Sequence, residues 1–166
     1  MVRMNLVGGD STARALAQQP LPGVVNYLMG RDPAAWHTNM PTFGRVGYAG
    51  VYPGIDVAYH GDQGQMEYDF TVGPGAKPEA IALAFDGAKG LRLDGGELVI
   101  TTPAGEMRQP APVVYQDLGA TRRPVEGHFV LRGGNQVGFA LGAYDHSRPV
   151  VIDPKLAYST FLGGSA

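Results

Sequence analysis

Apolar and polar residues alternate in short runs along most of the chain. Ile55, Val57 and Tyr59 alternate with Asp56, Ala58 and His60. After Gly61-Asp62-Gln63-Gly64, Met66, Tyr68, Phe70 and Val72 alternate with Glu67, Asp69 and Thr71. A period of two is the mark of a strand with one face in a core. A two- or four-residue loop here sets Tyr59 opposite Met66, Val57 opposite Tyr68 and Ile55 opposite Phe70. An odd loop sets apolar against polar positions and turns the wrong face inward. Gly95-Gly96 predicts a second hairpin with Leu93 facing Leu98 and Leu91 facing Ile100. Gly133-Gly134-Asn135 predicts a third, with Leu131 facing Val137 and Phe129 facing Phe139.

Elsewhere the pattern is shorter. Met1–Val7, Val24–Met29, Phe43–Tyr48, Val113–Asp117, the region after Thr121 and Val150–Ile152 read as strands. Pro20-Leu21-Pro22-Gly23 reads as a turn. Tyr52-Pro53-Gly54 has Pro and Gly in type II order. Asp32 before Pro33 predicts one helical turn. Asp10–Gln19 is compatible with a helix or a strand.

Composition narrows the choice. The chain has 25 Gly and 13 Pro in 166 residues. The longest stretch free of both is Asp10–Gln19. A Gly costs about 1 kcal/mol and a Pro about 3 kcal/mol within a helix, so bundles, coiled coils and doubly wound folds are excluded. The hydrophobic share of 44% and the net charge of −2 argue against disorder. The expectation is an all-β, antiparallel sandwich-like fold built from successive hairpins, with at most one or two short helical turns. It places one β-rich domain over 1–154, with a sub-boundary near 73–78, and a separate tail over 155–166.

Charge and residue types then limit the chemistry. A net charge of −2 gives no long-range attraction for nucleic acid. No apolar run reaches the roughly 18 residues that a spanning helix needs, so no membrane insertion is expected. With no Cys there is no disulfide and no thiolate metal site. No Gly-x-Ser-x-Gly elbow or phosphate loop occurs, and no catalytic set is legible. In the expected register Asp56 lies opposite Asp69, with Glu67 and His60 on the same face. Opposed carboxylates repel. Water, Arg45 from the preceding strand, or a divalent cation such as Ca²⁺ would relieve them. Asp56, Asp69, His60 and Glu67 are therefore the candidate metal ligands, the alternative being no cofactor. Trp36 and Tyr52 are candidates for stacking on a sugar, against the commoner role of aromatic packing.

Several collinear segments carry a family likeness. They are Asn26-Tyr27-Leu28-Met29-Gly30-Arg31-Asp32-Pro33 with Trp36 and Thr38, Pro41-Thr42-Phe43, Val51-Tyr52-Pro53-Gly54-Ile55-Asp56, Glu67-Tyr68-Asp69-Phe70, Pro74-Gly75-Ala76, Pro112 with Tyr115-Gln116, Val151-Ile152-Asp153-Pro154, and Tyr158-Ser159-Thr160-Phe161-Leu162-Gly163-Gly164. The chain resembles the domain of unknown function that precedes SBBP (seven-bladed β-propeller) repeats in large bacterial secreted or surface proteins. His37 and His60 depart from the family's usual Arg and Tyr. The resemblance implies an extracellular or cell-surface location, a leader upstream, and a terminal segment that opens a propeller repeat. The family has no activity to carry over. The all-β pattern, the lack of a recognisable catalytic set and the propeller-like tail lead to the expectation of a non-catalytic interaction or architectural module with a protein or glycan partner. The aromatic content and the carboxylate hairpin give a carbohydrate-binding or carbohydrate-active module, with a divalent metal site on the 55–72 hairpin, as the alternative. Exposed strand edges add a route to homo-oligomers.

Overall fold

The computed structural model describes residues 2–62 and 65–155. Among these, fourteen strands form three antiparallel sheets. The strands are β1 (Arg3–Leu6), β2 (Ala15–Tyr27), β3 (His37–Tyr52), β4 (Ile55–Asp62), β5 (Gln65–Val72), β6 (Leu83–Asp86) and β7 (Gly90–Asp94). They continue with β8 (Glu97–Thr102), β9 (Gly105–Gln109), β10 (Val113–Leu118), β11 (Thr121–Val125), β12 (Gly127–Gly133), β13 (Gln136–Leu141) and β14 (Val150–Asp153). The largest sheet has the order β11-β10-β14-β5-β4-β3-β2. A second has the order β1-β6-β13-β12, and a third is β7-β8-β9. Two 3₁₀ turns, Pro33–Ala35 and Pro78–Ala80, complete the regular structure. The fold is all-β and sandwich-like, as the alternating pattern predicts.

The core lies between the inner faces of these sheets. Ile55, Val57, Tyr68, Phe70, Val72, Val150 and Ile152 come from the large sheet. Leu83, Phe85, Phe129, Val137 and Phe139 face them from the second sheet, and Leu98 and Ile100 from the third. Phe70 spans the gap. Its ring centroid is 5.8 Å from Tyr68 and 6.0 Å from Phe139, which is 5.5 Å from Phe129. Residues on both sides of the 73–78 stretch share this one cluster.

The second and third hairpins have the predicted partners, Leu93 with Leu98, Leu91 with Ile100, Leu131 with Val137 and Phe129 with Phe139. At the 95–96 turn both glycines have positive φ, 59° and 91°, which a two-residue hairpin turn of this type requires. Asp32 caps its 3₁₀ turn through Ala34 N–H at 2.9 Å.

Two expectations are corrected. In the first hairpin Ile55 pairs with Val72, Val57 with Phe70 and Tyr59 with Tyr68. The ladder runs out to Asp62 and Gln65, so it is displaced by two residues from the expected register. A slip of two keeps every side chain on its face, so alternation alone cannot detect it. The observed register sets buried Ile55 against buried Val72. Asp56 therefore faces Thr71, not Asp69. Second, the chain does not turn at 20–23: β2 passes through Pro20-Leu21-Pro22-Gly23 with a register shift. Of the two readings left open for Asp10–Gln19, the strand forms from Ala15, where β2 starts, and 10–14 carries no helix. The expected propeller-like tail lies, beyond Lys155, outside the described residues.

Candidate functional site

Two regions of the large sheet carry unusual chemistry. One is its outer face across β3, β4, β5 and β14. The other is the projecting β2–β3 hairpin.

Register places the outer-face groups. Arg45 pairs with His60, and His60 with Glu67. Asp69 pairs with Ala58, which pairs with Gly47. Arg45 Nη1 lies 3.0 Å from Asp69 Oδ2, and His60 Nε2 lies 3.1 Å from the same oxygen. His60 Nδ1 is 3.8 Å from Glu67. Asp69 is only 7% exposed, so its charge depends on these partners.

A carboxylate pair does exist here, with a different partner from the one expected. Phe70 pairs with Ile152, so one step along the ladder sets Asp69 opposite Asp153. Burial, then the charges of Asp69 and Glu67, hold the Asp153 carboxyl above the ordinary carboxylate range. Asp153 Oδ1 is buried without a hydrogen-bond partner among the described residues. Asp153 escaped the sequence reading because β14 and β5 are distant in the chain. The alternation of Val150 and Ile152 with Val151 and Asp153 gives the face but not the neighbour.

Asp153 thus gives a pH-dependent expectation. An acid whose pKa is raised on folding favours the folded state while protonated, and that contribution is lost as pH rises through the folded value. Asp153→Asn should raise Tm at neutral pH by about 2–4 °C, the equivalent of about 1 kcal/mol. The gain should shrink as pH falls into the carboxylate range. Thermal unfolding followed by circular dichroism at stepped pH checks this; an equal gain at every pH would refute it.

The expected metal ligands separate. Asp69, His60 and Glu67 are neighbours, but Asp56 is withdrawn: its Oδ1 accepts Gly50 N–H at 2.7 Å. Among the described residues no three His, Asp or Glu side chains form a metal-holding group. At Asp69 the Arg45 guanidinium supplies a cationic partner. The arrangement is suited to neutralising a buried carboxylate.

The expected stacking residues separate too. Tyr52 is 4% exposed, and its hydroxyl lies 3.1 Å from both Val7 O and Ala82 O. Its ring packs in the core and is not presented to a ligand. Trp36 stands at the tip of the β2–β3 hairpin, with Nε1 3.4 Å from Gly30 O.

That hairpin is the more telling feature. All thirteen residues of β2 are exposed, and β2 is the last strand of its sheet. Leu16, Leu21, Val24, Tyr27, Leu28, Met29, Met40 and Phe43 all open to solvent, Met29 at 69%. Pro20 pairs with Phe43 and Val24 with Pro41, so apolar side chains meet across the two strands. Among the ordinarily charged types, 15–43 carries only Arg31 and Asp32, both near the tip. Exposed apolar surface of this continuity marks a contact region. Sequence reading had the strands here but not their exposure, because an alternating strand looks the same whether or not its apolar face is covered.

No curated protein matches the chain, and no solved structure does. A family model does, over residues 1–155, and with it the chain belongs to the family described as a domain of unknown function (DUF7948).

Proposed function

We propose that this domain is a non-catalytic β-module, an interaction and architectural unit that engages another polypeptide through the β2–β3 arm. The observation that carries the reading is the row of exposed apolar side chains from Leu16 to Phe43 on an outermost hairpin. The ionic cluster on the outer face supports it indirectly, since its Asp69 carboxylate is bound internally by Arg45 and His60. The setting we propose is a secreted or cell-surface protein with the module next to a β-propeller; the likeness of the segments quoted above supports that setting. A carbohydrate role would rest on Trp36 without Tyr52, and the arm's apolar content favours a protein partner.

Site-specific photo-crosslinking tests the reading. A benzophenone side chain is placed at Val24, Tyr27 or Met29, and at Leu93 on β7 as a comparison, in the protein expressed in its own cells. The arm positions should give discrete polypeptide adducts that Leu93 does not. Equal adduct yield at Leu93 and at the arm would overturn the assignment.

A further inference from the structure

The chain has two aspartyl–prolyl peptide bonds, Asp32–Pro33 and Asp153–Pro154. Bonds of this type are among the most acid-labile in a polypeptide. The proline nitrogen belongs to a tertiary amide, takes up a proton more easily than a secondary one, and so leaves more readily. The aspartyl carboxyl is always within reach of its own carbonyl carbon and can close a five-membered ring on it. What surrounds the carboxyl then decides whether the bond breaks.

The fold treats the two bonds differently. Asp32 is exposed, and its Oδ1 is engaged by Ala34 N–H at 2.9 Å as the cap of a 3₁₀ turn. Asp153 ends β14, where it pairs with Val113. Its Oδ1 is shielded from water and has no hydrogen-bond partner among the described residues, so nothing competes for its lone pairs. The groups around it are Asp69 and Glu67 of β5, His60 of β4, Tyr115 of β10 and Lys155 next along the chain; Arg45 of β3 is taken up by Asp69. Burial and the two acids favour the carboxyl that still carries its proton. The far side of the bond is held as well. Pro154 is buried, and Gln109 Nε2 lies 3.4 Å from its carbonyl oxygen.

We propose that the Asp153–Pro154 bond is a self-cleavage site at which the Asp153 carboxyl is the nucleophile. The carboxyl oxygen adds to the Asp153 carbonyl carbon while the carboxyl proton passes to the Pro154 nitrogen. The C–N bond breaks, Pro154 leaves as a secondary amine, and Asp153 is left as a cyclic anhydride. Water opens the anhydride, which restores the side-chain carboxyl and gives Asp153 a free α-carboxyl. The sum is hydrolysis of one peptide bond, with water as the co-reactant. It is a single event within one chain and needs no pocket for a foreign substrate, so it lies apart from the contact role of the arm. All fourteen strands lie before the break. The domain therefore keeps its sheets when the covalent link to the residues after 153 is lost.

The second Asp–Pro bond is an internal control. The purified full chain is held at stepped pH, from neutral into the mildly acidic range in which circular dichroism still shows it folded. Intact mass is followed over time. Residues 154–166 should separate from 1–153, with Pro154 as the new N-terminus. In the folded protein this bond should break at least about tenfold faster than Asp32–Pro33. In urea, where Asp32 loses its cap and Asp153 its burial, the preference should fall away. The rate should be independent of protein concentration. D153N, expected above to raise Tm, should stay intact at this bond, and so should P154A, which restores a secondary amide. No break at 153–154, equal rates at the two bonds in the folded protein, a preference that persists in urea, a rate that rises with concentration, or a break that survives in D153N or P154A overturns the proposal.

Discussion

Phe70→Ala should lower Tm by about 10 °C, the largest effect expected of any single side chain described above. Phe70 is fully buried and forms the aromatic link between the large sheet and the second sheet. Truncating a buried Phe removes its transfer free energy and leaves a cavity, at a cost of about 3–5 kcal/mol. For a domain of this size each kcal/mol moves Tm by about 2–4 °C. The cavity would open between Tyr68 and Phe139, on strands held in two different sheets, so neither ring can fill it without shifting its own ladder. Leu93→Ala, at an exposed position on β7, is the comparison and should change Tm little. Thermal unfolding by circular dichroism reads both. Similar values for the two variants would show that the sheets are not joined through this stack.

Arg45→Ala carries the second large effect. It strips Asp69 of its guanidinium while the carboxylate stays buried on the sheet face, opposite a second carboxylate at Asp153. Removing one partner of a fully buried pair costs about 3–5 kcal/mol; because Arg45 is a quarter exposed, a loss of about 2 kcal/mol is expected. Asp69→Asn in the same chain removes the stranded charge and should recover most of that loss. Urea denaturation of the two single variants and the double variant measures the coupling. Strict additivity would show that Arg45 does not neutralise Asp69.

Local pairing was legible in the sequence where glycine fixed the turn. Gly95-Gly96 and the 133–135 turn gave hairpin partners that the structure shares. The four polar or glycine residues at 61–64 allowed several turns of equal parity, and the ladder that formed is the longer one. Asp69 was legible as a carboxylate needing a partner, and Arg45 as one source of relief. Asp153 was not, because its neighbour is set by packing between segments some eighty positions apart. The prolines of β2 suggested a turn, yet they lie in a strand whose outer side has no ladder to interrupt.

The place of β14 bears on how the molecule comes together during synthesis. Its four residues lie between β5 and β10, pairing Val150 with Val72 on one side and Val113 with Asp153 on the other. Until residue 153 has left the ribosome, the large sheet exists only as two unconnected parts, β2 to β5 and β10 with β11. The hairpins can form as they emerge, but the central joint waits for the last described strand. Folding is therefore completed after nearly all of the domain has been made, and until then the facing edges of β5 and β10 stay open to wrong partners.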